Sequence, residues 1–339
     1  MTRADVCAGI LWVGATFYAL FGGADFGAGF WDLVAGGAER GERPRALIQR
    51  SLTPVWEANH VWLIFILVVL WTAFPPAFSA VMTTLYVPIA LAALGIVLRG
   101  SGFAFRKSIV RLSGRRAAGA TFAISSLLTP FFMGAVVGAV ASGNVPANGN
   151  GPAFSSWLEP LPLLTGAMFV ASGAYLAAVF LVGDARRSED HELAGYFARR
   201  ALAAAAVAGI AAAFGLAELH AEARYIFDRL TAQGLPLVIL SAVCGVGVLA
   251  LLFATVRGRN AARSQYLRPL AGGAVIAVIW GWGVAQFPYL LPTSLKITEA
   301  AAPADTLASV IIVFIVATVL VLPALALLYW LSQKELLGE

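Results

Sequence analysis

Pro54-Val55-Trp56-Glu57-Ala58-Asn59-His60-Val61-Trp62-Leu63 places a carboxylate, an amide and an imidazole at the mouth of an apolar run that continues to Leu70. A run of this kind, with ionisable groups only at its edge, reads as a helix entering the hydrocarbon layer of a membrane. Polar groups at that edge are costly, which makes them candidates for function. A second acid, Asp25, lies in the preceding run, Phe21-Gly22-Gly23-Ala24-Asp25-Phe26-Gly27-Ala28-Gly29-Phe30. These two acids organise the reading of the whole chain.

Composition supports the membrane reading. The chain is 60% hydrophobic and 12% charged, with a mean hydropathy of +0.83. A soluble protein this apolar could not cover its surface, so the fold class is an all-α polytopic membrane protein. The net charge of +5 would suggest nucleic acid in a soluble chain. Here the basic residues sit in short connections between apolar runs, which is a topology signal instead. Cys7 and Cys244 fall in runs at different depths, so neither a disulfide nor a shared metal is expected. The first run is too long for the apolar core of a signal peptide and reads as a retained helix.

Runs long enough to span fall at about 6–31, 55–74, 78–98, 117–141, 161–182, 199–219, 235–256, 270–291 and 307–331, nine in all. Only Phe74-Pro75-Pro76-Ala77 separates the second from the third, and the proline pair reads as a tight turn. The connections after runs one, three, five and seven, with Lys334, hold 19 of the 23 lysines and arginines. That asymmetry puts the amino terminus outside and the carboxyl terminus in the cytoplasm. Asp25 is then roughly 9 Å from the inner end of helix one, and Glu57 lies in the first turn of helix two. Both acids belong to the inner third of the membrane. The Gly-, Asn- and Pro-rich segment from Ser142 to Pro160 divides four helices from the next four. The expected units are therefore residues 1–141, a first four-helix bundle; 142–291, a second; and 292–339, a peripheral ninth helix and tail.

Each candidate has a plainer explanation. Glu57 comes after a capping Thr53 and Pro54 and would suit the helix dipole with no further role. His60, three residues on, shares its face and could exchange a proton with it, or could simply pack. Asp25 has no basic residue within a helical turn, so it needs a partner from another helix or a water-filled cavity. The plain alternative there is a buried pair with an arginine such as Arg99. Gly22, Gly23, Gly27 and Gly29 permit close helix approach. Only His60, His191 and His220 exist, and no two are placed to ligate one buried haem or copper. No metal site is expected in this chain, and no phosphate-cradling glycine loop with lysine supports ATP-driven transport.

The residues resemble a known family. Gly22-Gly23-Ala24-Asp25-Phe26-Gly27-Ala28-Gly29 is similar to the G-x-D-x-G-x-G signature of subunit II of cytochrome bd-type quinol oxidases. Pro54 to Leu63 resembles that family's W-[DE]-x-N-x-V-W-L segment through Trp56, Asn59 and Trp62. Arg99-Gly100-Ser101-Gly102-Phe103-Ala104-Phe105-Arg106 is similar to its R-x-x-G-F-x-[FY]-R loop, and Phe287-Pro288-Tyr289-Leu290-Leu291-Pro292 to its F-P-[YF]-x-x-P, placed at the outer end of helix eight. The four matches keep the family's order across positions 22 to 292.

The resemblance implies a prokaryotic plasma-membrane subunit that supports assembly of a haem-bearing subunit I. That partner would carry two b-type haems and one d-type haem, oxidise quinol and reduce oxygen to water. Asp25 and Glu57, with His60 beside them, match the acids of a cytoplasmic proton entry; the usual Asp at position 57 is a Glu here. A small single-helix subunit, and a quinone or lipid bound by this chain, are left open. Two other readings stand beside this one. A proton-coupled secondary transporter using Asp25 would show broken mid-membrane helices around a substrate site, and Asp25 near the inner end argues against it. A purely structural subunit would use both acids for packing.

Overall fold

A computed structural model describes residues 1–37, 39–52, 56–106, 112–258 and 265–333. Helix α1 (Arg3–Phe17) opens on a reciprocal cap: Thr2 Oγ1 accepts from the Asp5 amide at 3.2 Å and the Asp5 carboxylate accepts from the Thr2 amide at 2.7 Å. It passes through one wider π turn, Tyr18–Gly22, into α2 (Gly23–Leu33). The two form a single 31-residue apolar rod. Gly36, with φ of 105°, turns the chain where only glycine is unstrained.

The connection to the next long helix is itself helical. Helix α3 (Glu42–Leu52) is amphipathic and is tied down by its polar side. Arg43 reaches Asp190 at 2.9 Å and Glu192 at 2.7 Å; Arg45 reaches Asp32 at 3.3 Å; Arg50 donates to Ser188 at 2.7 Å. The Leu193 amide, with Arg43 beside it, holds the Asp190 carboxyl below the usual carboxylate range. That latch is therefore intact at neutral pH and is lost as pH falls through the lowered value.

Helix α4 (Trp56–Ala73) then breaks sharply. The short helix α5 (Pro75–Thr84) leaves it at 118°. The reason is local: Pro75 has no N–H and drives Phe74 out of the helical region, to φ −138° and ψ 58°. The expected proline turn is thus a helix start, and the expected run 78–98 is corrected. Its first part belongs to α5, and the next long helix is α6 (Tyr86–Arg106). The carbonyl of Ala73, freed by the break, accepts from the Ala302 amide at 2.9 Å.

Helices α7 (Leu112–Ala141), α8 (Pro160–Arg187) and α9 (His191–Glu222) have 30, 28 and 32 residues. At 1.5 Å per residue each exceeds the roughly 30 Å hydrocarbon layer. Helix α9 begins eight residues before the expected run at 199. Helix α8 is the keel: α2, α7, α9 and α12 all pack on it, through small residues such as Gly166, Gly173, Ala174, Ala177 and Ala178. After α10 (Arg224–Ala232) and α11 (Leu235–Val256), α12 (Leu267–Gln286) stops earlier than the expected 291. Pro288 comes next, and the chain forms a two-stranded ribbon, β1 (Tyr289–Leu291) with β2 (Leu295–Lys296). A single turn, α13 (Ile297–Ala300), leads to α14 (Ala304–Gln333).

Among the described residues seven helices are long and apolar enough to cross a membrane, with an eighth crossing if the bent α4–α5 pair is one span. The apolar stretch of α6, Tyr86–Gly102, is shorter than these. Large side chains such as Val61, Ile64 and Trp71 on α4, and Val313, Val319 and Leu320 on α14, face outward, as a lipid-facing surface requires. The largest buried cluster runs through α2, α3, α7, α8, α9, α11 and α12, so the core crosses the Ser142–Pro160 divide.

Asp184 joins three of these elements. It accepts from Arg268 on α12 at 2.8 Å, from Ser51 on α3 at 3.0 Å, and from Arg187 on its own helix. Arg268 is mostly covered and also donates to the Phe180 carbonyl. Asp184→Ala leaves that guanidinium without its counter-charge and is expected to destabilise the fold by about 2 kcal/mol. A drop in the thermal unfolding midpoint of the purified complex checks this, and an unchanged midpoint refutes it.

Candidate functional site

Asp25 stands in the first turn of α2, immediately after the π turn. An inserted residue shifts the helical phase of the segment beyond it, and such insertions recur at functional sites. Its neighbours are glycines for a steric reason. A Cβ on Gly27 would overlap the carbonyl of Gly173, so here the backbones of α2 and α8 touch directly. A Cβ on Gly29 would occupy the space of the Ser126 side chain and come within 3.1 Å of an Arg99 guanidinium nitrogen. Gly23 differs, since its Cβ would find only ordinary contacts at 3.9 and 4.0 Å.

Into the space beside α2 comes Arg99 from α6. Its side chain and that of Asp25 are both buried, 2% and 1% exposed, and one guanidinium nitrogen lies 2.7 Å from Asp25 Oδ1. The same nitrogen donates to the Asp25 carbonyl at 3.0 Å. The other terminal nitrogen donates to Ser126 Oγ on α7. Ser126 gives its own proton to the Phe122 carbonyl at 2.6 Å, which leaves its lone pair for the arginine. The guanidinium lies 4.7 Å from the ring centre of Phe26 and 4.6 Å from that of Phe122. Buried charge is tolerable only when paired and hydrogen-bonded, and these contacts do both. Among the described residues Asp25 Oδ2 has no hydrogen-bond partner.

His60 comes from α4. Trp62, stacked on Phe17 at 4.5 Å, and Phe65, seated over Gly14, hold α4 against α1. That places the His60 ring edge-on to Phe26, 6.2 Å between centres, and within electrostatic reach of Asp25. Asp25, Arg99 and His60, more than seventy residues apart in sequence at the extremes, therefore form one group. Tyr18, on the π turn, is also within electrostatic reach of Asp25 and donates to Met133 Sδ at 3.5 Å.

The side chains of Trp56, Glu57, Asn59 and Arg106 lie outside the described residues; their backbones belong to α4 and α6. Pro288 stands apart from the group, at the entry to the ribbon, where its carbonyl accepts from the Ile297 amide at 2.9 Å. The break at Ala73–Pro75 is at the far end of α4 from His60, about 20 Å along the helix, so among the described residues no broken span surrounds Asp25. Ser126, Phe122 and Tyr18 escaped the sequence reading. The signal was there in the hydroxyls of Ser125, Ser126 and Thr129, all buried and spaced along one apolar run. Among the described residues no group of three or more His, Cys, Asp or Glu is placed to hold a metal.

Fold and site together define a polytopic helical membrane protein with one deeply buried acid–arginine pair between its first helices. The profile of the family described as cytochrome bd terminal oxidase subunit II matches residues 4–332, and the chain belongs to that family. It is a subunit of a cytochrome bd terminal oxidase complex, an oxidoreductase. The chain is 26% identical to cytochrome bd-I ubiquinol oxidase subunit 2 of Escherichia coli strain K12, over 84% of this chain and 80% of that one. A 125-residue stretch, 37% of this chain and 35% of the relative, is 29% identical to cytochrome bd ubiquinol oxidase subunit 2 of Bacillus subtilis strain 168. Among solved structures, bd oxidase from Geobacillus thermodenitrificans superposes with a TM-score of 0.76 at 25% identity, covering 98% of both chains.

The back-to-back approach of Gly27 and Gly173 makes a sharp test. Gly27→Ala is expected to abolish recovery of folded, monodisperse complex, because one backbone would have to move away from the other. Gly23→Ala is expected to leave recovery near wild type. Equal yields from the two variants, measured by size exclusion after extraction, would contradict the packing described.

Proposed function

We propose that this chain supports assembly of a haem-bearing subunit I of a bd-type quinol oxidase and conducts protons from the cytoplasmic face towards that partner's oxygen-reducing haem. In this reading the partner holds two b-type haems and one d-type haem, oxidises quinol and reduces oxygen to water. The chain crosses nine times, as two groups of four helices and a peripheral ninth, with its amino terminus outside and its carboxyl terminus inside. Glu57 stands at the cytoplasmic mouth, His60 one turn further in, and Asp25 beyond it.

The observation that carries the reading is Asp25 itself, with one carboxylate oxygen on Arg99 and the other unengaged among the described residues. A proton arriving on Oδ2 would neutralise the carboxylate without displacing it. Arg99 would keep the Asp25 carbonyl, Ser126 and the faces of Phe26 and Phe122. The site can thus change its charge while its scaffold stays in place, which a relay needs. Wholly structural use of the pair is the second reading, favoured by the near-complete burial of both partners.

The two readings separate on turnover. Asp25→Asn and Glu57→Gln are each expected to lower quinol-dependent oxygen uptake per haem with haem content intact, while Glu57→Asp retains much of it, because the amides keep shape but carry no exchangeable acid proton. Full turnover in both amide variants with normal haem spectra would leave the subunit structural. Orientation has its own check. With Glu39→Cys and Asn148→Cys, a membrane-impermeant maleimide should reach position 39 only from the cytoplasmic side and position 148 only from outside; the reverse pattern would place the proton entry on the wrong face.

A further inference from the structure

Arg199 and Arg200 on α9 stand apart from the ionic layer around α3. Arg200 lies nine residues inside the helix start at His191, about 13 Å along it. It is half-buried, with its guanidinium stacked 3.4 Å from the ring centre of Tyr196 and 5.9 Å from that of Trp31. Arg199 is exposed beside it and close enough for the two charges to repel. Among the described residues no carboxylate, hydroxyl or carbonyl accepts from either guanidinium; the acids at the start of α9, Asp190 and Glu192, are engaged by Arg43. Two adjacent cations at membrane depth without an anion are costly, and aromatic stacking satisfies none of their N–H groups. Outward along the same helix the surface turns apolar and open. Val207 and Phe214 lie within about 40° of the Arg200 direction, at 100° per residue, and Ile210 lies about 20° from that of Arg199. These three are 58%, 62% and 59% exposed.

We propose that Arg199 and Arg200 bind the phosphodiester of an anionic phospholipid, whose acyl chains lie along Val207, Ile210 and Phe214. A planar guanidinium matches two phosphate oxygens at once. Trp31 and Tyr196 back the pair from the protein side: Trp31 is buried with its indole N–H on the Ala174 carbonyl, and Tyr196 is half-buried, so the guanidinium edges are what is left for a ligand. Charge, depth and the two apolar stripes leading away from the pair all fit one diacyl lipid. The inference is independent of the proton-entry reading.

The test uses the tagged oxidase complex in detergent, with native mass spectrometry and thermal unfolding. Added phosphatidylglycerol should bind and raise the unfolding midpoint, while phosphatidylcholine and inorganic phosphate should do neither. Arg200→Gln should weaken phosphatidylglycerol about fivefold and the Arg199→Gln/Arg200→Gln pair about thirtyfold, at roughly 1 kcal/mol for each charge. Arg40→Gln, in the exposed connection before α3, should leave binding unchanged. Should the double variant not be recovered, Arg200→Lys decides, because it keeps the charge but loses the fork and the stack, and weaker binding is expected. Equal effects of phosphatidylcholine or of inorganic phosphate would overturn the proposal, as would undiminished binding in the Arg200 variants. Loss of the partner subunit from the double variant with lipid retained would reassign the pair to a protein contact.

Discussion

A guanidinium and a carboxylate facing each other inside an apolar bundle set the terms for the helices around them. Taking both from water is expensive, and their mutual attraction compensates only if geometry and secondary hydrogen bonds are good. The chain meets that condition with parts from four helices: the carboxylate from α2, the arginine from α6, and Ser126 and Phe122 from α7, all closed off by α8. Close approach is the second half of the condition. Gly27 against Gly173 brings the backbones of α2 and α8 into direct contact beside the pair, and Gly29 leaves room for Ser126. Charge pairing and glycine packing are one constraint seen from two sides.

From that centre the rest is layered by solvent. The middle of the bundle is held by small residues on α8, where no hydrophobic force separates lipid from protein and only close packing can win. Towards the end that carries most of the basic residues, the helices outrun the hydrocarbon layer and are joined by ions: Asp184 with Arg268 and Arg187, Arg43 with Asp190 and Glu192. At the other end, among the described residues, the joints are single charges or amides on backbone groups rather than ion pairs between helices. Arg229 donates to the Ala285 carbonyl, the Glu222 carboxylate accepts from the Leu161 amide, and Gln286 donates to the Leu290 carbonyl, while Trp157 and Val145 are buried beneath the ribbon. Helix α3 is placed by the ionic layer, and it leads directly into the helix that carries Glu57 and His60.

How far the chain's own letters reach can be judged residue by residue. The membrane class, the helical runs and the gathering of basic residues in alternate connections come from hydropathy and charge, which act locally and leave their mark on composition. Asp25 stands out for the same reason: an acid in an apolar run has no local remedy. Arg99 was legible as an alternative partner, because a buried acid needs a cation and few are available at that depth. Helix ends fared worse. Phe74-Pro75-Pro76 signalled a break, yet whether the next residues form a turn or a 118° helical elbow depends on what receives the freed carbonyl of Ala73. The answer, the amide of Ala302, lies more than two hundred residues away.

Sequence alone therefore determined that this is a helical membrane subunit of the bd oxidase kind, with Asp25 as its most demanding side chain. Tertiary structure decided which residues answer that demand. Ser126 and Phe122 look like ordinary members of an apolar run until α7 is laid beside α6. His60 meets Phe26 only because Trp62 stacks on Phe17. Of two adjacent-looking glycines, Gly27 is sterically required and Gly23 is not. The physical reason is the same in each case. Hydropathy is a property of a residue and its neighbours in the chain, whereas the pairing of a buried charge and the touching of two backbones are properties of helices that meet only once the bundle has closed.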